Sequence, residues 1–168
     1  MFLRFALRDL GVLGFAAGAW YLLAGYSAGG GFAADVSGVV VGLTLGAAAY
    51  VLHEWGHLLA AFAARSAVTP GAHVGSVFIF GFDAHRNTLR QFLVMSVGGF
   101  VATGLLVWAF YTYLPDDLLA TRVARGVVVF LAILAVVLEF PLVVWGLVKR
   151  GVPAPVDVTH GRRAPKPA

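Results

Sequence analysis

Four stretches of this sequence, at about residues 10–28, 36–64, 91–114 and 124–148, are almost free of charge. A helix needs roughly 20 apolar residues to cross the hydrocarbon core of a bilayer, and each stretch comes close to that length or exceeds it. The chain has 168 residues, 60% hydrophobic and only 12% charged, where soluble domains carry about a quarter charged residues. Four spans account for most of its length. The expected fold is an all-α integral membrane protein with four transmembrane helices. Residues 1–150 form a single membrane domain, and 151–168, rich in Pro and basic side chains, form a disordered cytoplasmic tail.

The connections refine this picture. "GYSAGGGFAAD" and "YLPDD" are short, so the spans they join are expected as antiparallel hairpins. Residues 66–90 differ: Pro-Gly and Gly punctuate the β-branched and aromatic run "VFIF", which predicts a short strand or hairpin between helices 2 and 3, lying on the membrane face or dipping into it. Lys and Arg set the orientation. Arg4 and Arg8 precede the first span, Arg65, Arg86 and Arg90 flank the second connection, and Lys149, Arg150, Arg162, Arg163 and Lys166 follow the fourth span. Both termini are therefore expected in the cytoplasm of a bacterial-type inner membrane. The first span is read as uncleaved, because "MFLRFALRDLGVLGF" has no clear small-residue cleavage site. The net charge of +4 is explained by topology and anionic lipid head groups, not nucleic acid. No cysteine is present, so any metal must be held by nitrogen and oxygen.

One span carries chemistry. "HEWGH", within "AAAYVLHEWGHLLAAF", fits His-Glu-x-x-His. On a helix, His53 and His57 project from one face a turn apart, so both ring nitrogens can reach one zinc ion at about 2.0–2.1 Å. Glu54 lies roughly 100° around the helix, placed to act as general base on a metal-bound water rather than as a ligand. The alternative is a polar patch that only packs helices. Within a span, where a charged side chain costs about 2.5–3.5 kcal/mol on insertion scales, a functional role is the better reading.

Glutamate usage extends the argument. The only two, Glu54 and Glu139, both fall inside spans, whereas the six aspartates lie near span ends, in loops or in the tail. Counted from the basic residues that end their spans, His53, His57 and Glu139 lie roughly 12–18 Å from the same side at 1.5 Å per residue. Glu139 can then complete a His₂Glu set with one position open. The competing role is a protonated Glu139 bonded to a neighbouring helix. Pro141, two residues on, would loosen the helix there. Asp83 is the substitute third ligand. His73 and His85 share its loop-like segment, and His160 is in the tail. In the third span, Ser96, Gly98, Gly99 and Gly104 permit close helix approach. A second possibility is that the glycines admit a substrate backbone that Ser96 or Thr103 hydrogen-bonds.

"HEWGH" inside a span, then a short β-prone segment and a glycine-containing span, resembles the site-2 protease family of intramembrane zinc metalloproteases, peptidase family M50. The likeness covers about residues 40–110 and continues weakly into the fourth span. It implies that His53 and His57 are zinc ligands, that Glu54 is the general base and that a membrane-associated hairpin lies near the substrate. The family's Asp-Gly ligand motif and its Gly-Pro-x-x-Asn pattern are missing, and "LEFPLVVWG" offers Glu139 in place of the former. The expected activity is hydrolysis of peptide bonds in transmembrane or membrane-associated protein substrates. The alternative is a non-catalytic protein of the same fold that assembles with, or regulates, a membrane complex. A metal transporter is weaker, since the first span offers almost no polar residues along a pathway.

Overall fold

In the computed structural model, which describes residues 2–153, the order of elements is α1 (Leu3–Leu23), a 3₁₀ turn (Gly25–Ala28), α2 (Phe32–Ala63), β1 (Val68–Pro70), β2 (Phe80–Phe82), α3 (Leu89–Tyr113), α4 (Leu119–Leu138) and α5 (Phe140–Lys149). Among the described residues, four helices, with α4 and α5 counted as one, are long and apolar enough to cross a membrane. Large apolar side chains such as Phe15, Leu105 and Phe130 are exposed, as on a surface that meets lipid.

Helix α2 is the hub and packs against α1, α3 and α4. Two glycine contacts set how closely. A Cβ on Gly56 would stand 2.6 Å from Ala102 Cβ and 2.8 Å from the Gly98 carbonyl, so α2 and α3 touch backbone to backbone at this level. Along the other face, Gly38, Gly42 and Gly46 receive Leu119, Val123 and Val127, each glycine facing the residue 81 positions later. The residues rise together, so α2 and α4 run in the same direction. The same offset brings Glu139 level with Leu58, next to His57.

The ends of the elements are fixed by side chains. Thr88 caps α3 in a reciprocal box with Gln91, whose Nε2 also donates to the carbonyls of Ala64 and Arg65 at 3.2 and 3.0 Å. One amide thus ties the end of α2 to the start of α3. Asn87 closes the segment between them: Oδ1 accepts from the Ala67 amide at 2.6 Å, and Nδ2 donates to the Ala67 and Asp83 carbonyls at 2.7 and 2.8 Å. At the opposite loop, Arg125 bonds the carbonyls of Phe110 and Leu114 at 3.0 and 2.8 Å and pairs with Asp116.

The structure refines three expectations. The first helix begins at Leu3, not near residue 10, so Arg4, Arg8 and Asp9 lie within it. Leu, Arg and Ala favour helix, and Asp9, only 2% exposed, is buried against partners instead of marking a span end. The hairpin exists, but its strand is shifted: β2 pairs antiparallel with β1 from Val68↔Phe82 to Pro70↔Phe80, so most of "VFIF" lies outside the ladder. Pro70 has no N–H to continue it, and only the Gly71 amide adds a bond, to the Ile79 carbonyl at 3.0 Å. The fourth span is broken where α4 gives way to α5, with Glu139 at the junction and Pro141 in the first turn of α5. The expected tail and His160 lie mostly or wholly outside the described residues.

Candidate metal centre

His53 and His57, on α2, and Glu139, at the α4–α5 junction, bring one ligand atom each to within 4.8 Å of one another. The two Nε2 atoms are 3.1 Å apart. Glu139 Oε1 lies 3.2 Å from His53 Nε2, and Oε2 lies 3.2 Å from His57 Nε2. All three donors come from the one level at which α2, α3 and the end of α4 meet.

The far side of each imidazole decides what its Nε2 can do. His57 Nδ1 is 3.0 Å from the Met95 carbonyl, and His53 Nδ1 is 3.2 Å from the Gly99 carbonyl and 2.7 Å from Thr103 Oγ1. A carbonyl only accepts, so each Nδ1 is the protonated nitrogen, and in the neutral ring each Nε2 presents a lone pair. Two lone pairs therefore point at one another across 3.1 Å, with a carboxylate beside them. Glu139 Oε2 is buried and receives no hydrogen bond. With both rings neutral and Glu139 ionised, three electron-rich atoms converge, an arrangement that a cation relieves. Tetrahedral bonds of about 2.0–2.1 Å place ligand atoms about 3.3 Å apart, close to the separations here. The donor set fits a small metal ion.

Glu54 stands beside this set without joining it. It is buried, and the Ile79 backbone is in hydrogen-bonding reach of its carboxylate. The Tyr50 hydroxyl is in hydrogen-bonding reach of Glu54 and donates to the Val77 carbonyl at 3.1 Å. Two cavities flank the centre, and both are bounded by Glu54, Glu139, Phe78 and Leu138. The one on the His57 side is about 300 Å³, walled by Phe80, Phe82, Phe92, Met95 and Leu142, with Ser96 also in its lining. The one on the His53 side is about 210 Å³ and is lined by Tyr50 and by Leu131, Leu134 and Ala135 of α4.

The other sequence candidates fall elsewhere. Asp83 lies outside the His53–His57–Glu139 group: its Oδ1 accepts from the His85 and Arg86 amides at 3.0 and 3.1 Å, forming the turn after β2. His73 shares a turn with Ser76. Thr103 is bound to His53, and Gly98 serves helix packing, meeting Gly56 and Ala60. Gly104 meets nothing within 4 Å, so it supports no close approach. Tyr50 was not among the candidates, although helical spacing from His53 and Glu54 places it on their face. Models of known protein families, curated proteins and solved structures yield no match to this chain.

Proposed function

We propose that this chain is an intramembrane zinc metalloprotease, similar in its site to the site-2 protease family. The observation that carries the reading is the convergence of His53 Nε2, His57 Nε2 and Glu139 on one point, with Glu54 next to them but outside the donor set. His53, His57 and Glu139 would hold the ion. Three protein ligands with one position left is the pattern of catalytic rather than structural zinc. Bound there, zinc supplies Lewis-acid polarisation of a carbonyl and activation of water.

The chain's own residues supply the remainder. Glu54 is the general base: it takes a proton from the attacking water and delivers it to the leaving amine. The Ile79 backbone lies against its carboxylate, and Tyr50, whose hydroxyl donates to the Val77 carbonyl, stands beside it. Gly99 and Thr103 orient His53, and Met95 orients His57. The two apolar cavities, meeting at Glu54, suit an extended peptide with a hydrophobic side chain on each side of the cleaved bond. The substrate class that follows is a transmembrane or membrane-associated polypeptide, in a membrane where both termini of this chain face the cytoplasm.

The test is cleavage of an apolar model span by purified, zinc-loaded protein, with Glu54→Gln alongside. Zinc should remain bound in the variant while hydrolysis falls by about 10²-fold or more. Equal rates would overturn the proteolytic reading and favour a non-catalytic partner of a membrane complex.

A further inference from the structure

The charged residues that open α1 have no part in the proposed chemistry, yet each is bonded to at least one distant group. Asp9 is 2% exposed. Its Oδ1 accepts from Arg8 Nε at 2.6 Å, and its Oδ2 accepts from Trp55 Nε1 at 2.8 Å. Trp55 sits on α2 between Glu54 and His57, so this carboxylate ties α1 to the back of the helix that bears the metal donors.

Arg8 has its other nitrogens to spare. Nη1 donates to the carbonyls of Val74 and Ser76 at 2.6 and 2.8 Å, and Arg4 donates to those of Gly71 and Ala72 at 2.5 and 3.4 Å. Four carbonyls of one irregular loop are thereby held by two guanidinium groups on one helix. Between these anchors and the centre lies a packed cluster. Phe5, fully buried, meets Leu58 and Ile79, and both arginines stack over its ring at 5.0 and 5.2 Å. The segment then reaches Val77, which accepts from Tyr50, and Ile79, whose backbone is in reach of the Glu54 carboxylate.

We propose that Arg8 and Asp9 are positioning residues for catalysis: through residues 71–79 they set where the Ile79 amide and the Val77 carbonyl stand against Glu54 and Tyr50. This rests on the proteolytic reading for its consequence, though not for the anchoring itself. The segment has no ladder of its own, because the β1–β2 ladder ends at the Pro70–Phe80 pair. Beyond the Gly71–Ile79 bond and the packing of Ile79 on Phe5, the arginine bonds place it. Arg8 must reach a carboxylate and two carbonyls at once, which its planar fork allows and an ammonium does not. Asp9 neutralises that guanidinium where it is partly buried and fixes its distance from Trp55.

The experiment compares wild type with Arg8→Lys, Asp9→Asn and Trp55→Phe in the full chain in detergent micelles, reading amide exchange over 71–79, zinc content, and kcat and KM on an apolar model peptide. Arg8→Lys loses charge-assisted bonds, so exchange over 71–79 should quicken at least about tenfold while α2 and α3 keep their protection and zinc stays bound. A misplaced base lowers kcat by about 10²-fold and leaves KM nearly unchanged. Trp55→Phe keeps the ring and removes one bond, and should move the same readouts less. Unchanged exchange over 71–79 in Arg8→Lys would overturn the proposal. So would loss of protection throughout the helices in all three variants, or a KM effect without a kcat effect. If wild type cleaves nothing, the proteolytic reading fails by itself, while exchange and zinc content still decide the anchoring.

Discussion

Gly99 leaves room for His57: a Cβ at position 99 would overlap the imidazole at Nε2, the nitrogen that faces His53 and Glu139. The glycine therefore does more than let helices approach. It forms the floor on which a ligand ring lies, while its own carbonyl faces His53 Nδ1 at 3.2 Å. Gly99→Ala should turn His57 away from the centre, abolish stoichiometric zinc and destabilise the fold by about 1–3 kcal/mol. Zinc analysis and thermal unfolding check both.

Glu139 and Asp83 were both open as third donor, and the structure separates them. Glu139→Ala should leave a folded protein that no longer retains zinc against a weak chelator. Asp83→Ala should retain it, since Asp83 holds the turn after β2 and stays outside the donor set. Equal zinc content in the two variants would contradict the assignment.

The split between what could and could not be read in the sequence follows sequence separation. His53, Glu54 and His57 are related by one helical turn, so their mutual placement was available from spacing. Glu139 was reachable because glutamate is so scarce that its depth could be compared with theirs. The break beside it follows from Pro141, which removes the hydrogen bond to the carbonyl four residues back. Asp9 was misplaced, because nothing local shows that its partner is Trp55, 46 residues away. The strand shift is similar: "VFIF" has the right composition, but register was set by Pro70 and by Asn87 closing the segment. The Gly38, Gly42 and Gly46 stripe was missed in the sequence, where nothing local identifies the helix that faces it.

That stripe has a consequence far from the site. Gly42 faces Val123, and its Cβ would lie 2.8 Å from the Ala120 carbonyl, a backbone atom that cannot turn aside. Gly42→Ala should push α4 from α2 and draw Glu139 away from the histidines, although residue 42 is about three helical turns from His53. Weakened zinc binding in a variant that retains its helix content by circular dichroism is the expected result. Affinity equal to wild type would show that Glu139 is placed independently of the stripe.

Thr103 tests the role of the outer partners. Its hydroxyl is 2.7 Å from His53 Nδ1, closer than the Gly99 carbonyl. Thr103→Val keeps the shape and removes the bond. Zinc affinity should fall about 10–100-fold, the range for loss of a partner behind a metal-binding histidine. Thr103→Ser, which retains the hydroxyl, should restore most of it, and competition with a fluorescent chelator reads both.

Ser96 lines the larger cavity on the His57 side, among Phe80, Phe92 and Met95. A leucine there would project into the space of about 300 Å³ while leaving every donor and Glu54 in place. Peptides with phenylalanine or leucine beside the cleaved bond should then lose about tenfold or more in kcat/KM relative to alanine peptides, since even one methylene in an apolar pocket changes discrimination about 10–200-fold. Zinc content should not change, because the substitution touches neither the donors nor the groups behind them. An equal loss for alanine and phenylalanine peptides would mean that the cavity does not receive a substrate side chain, and a purely apolar selection by this wall would have to be abandoned.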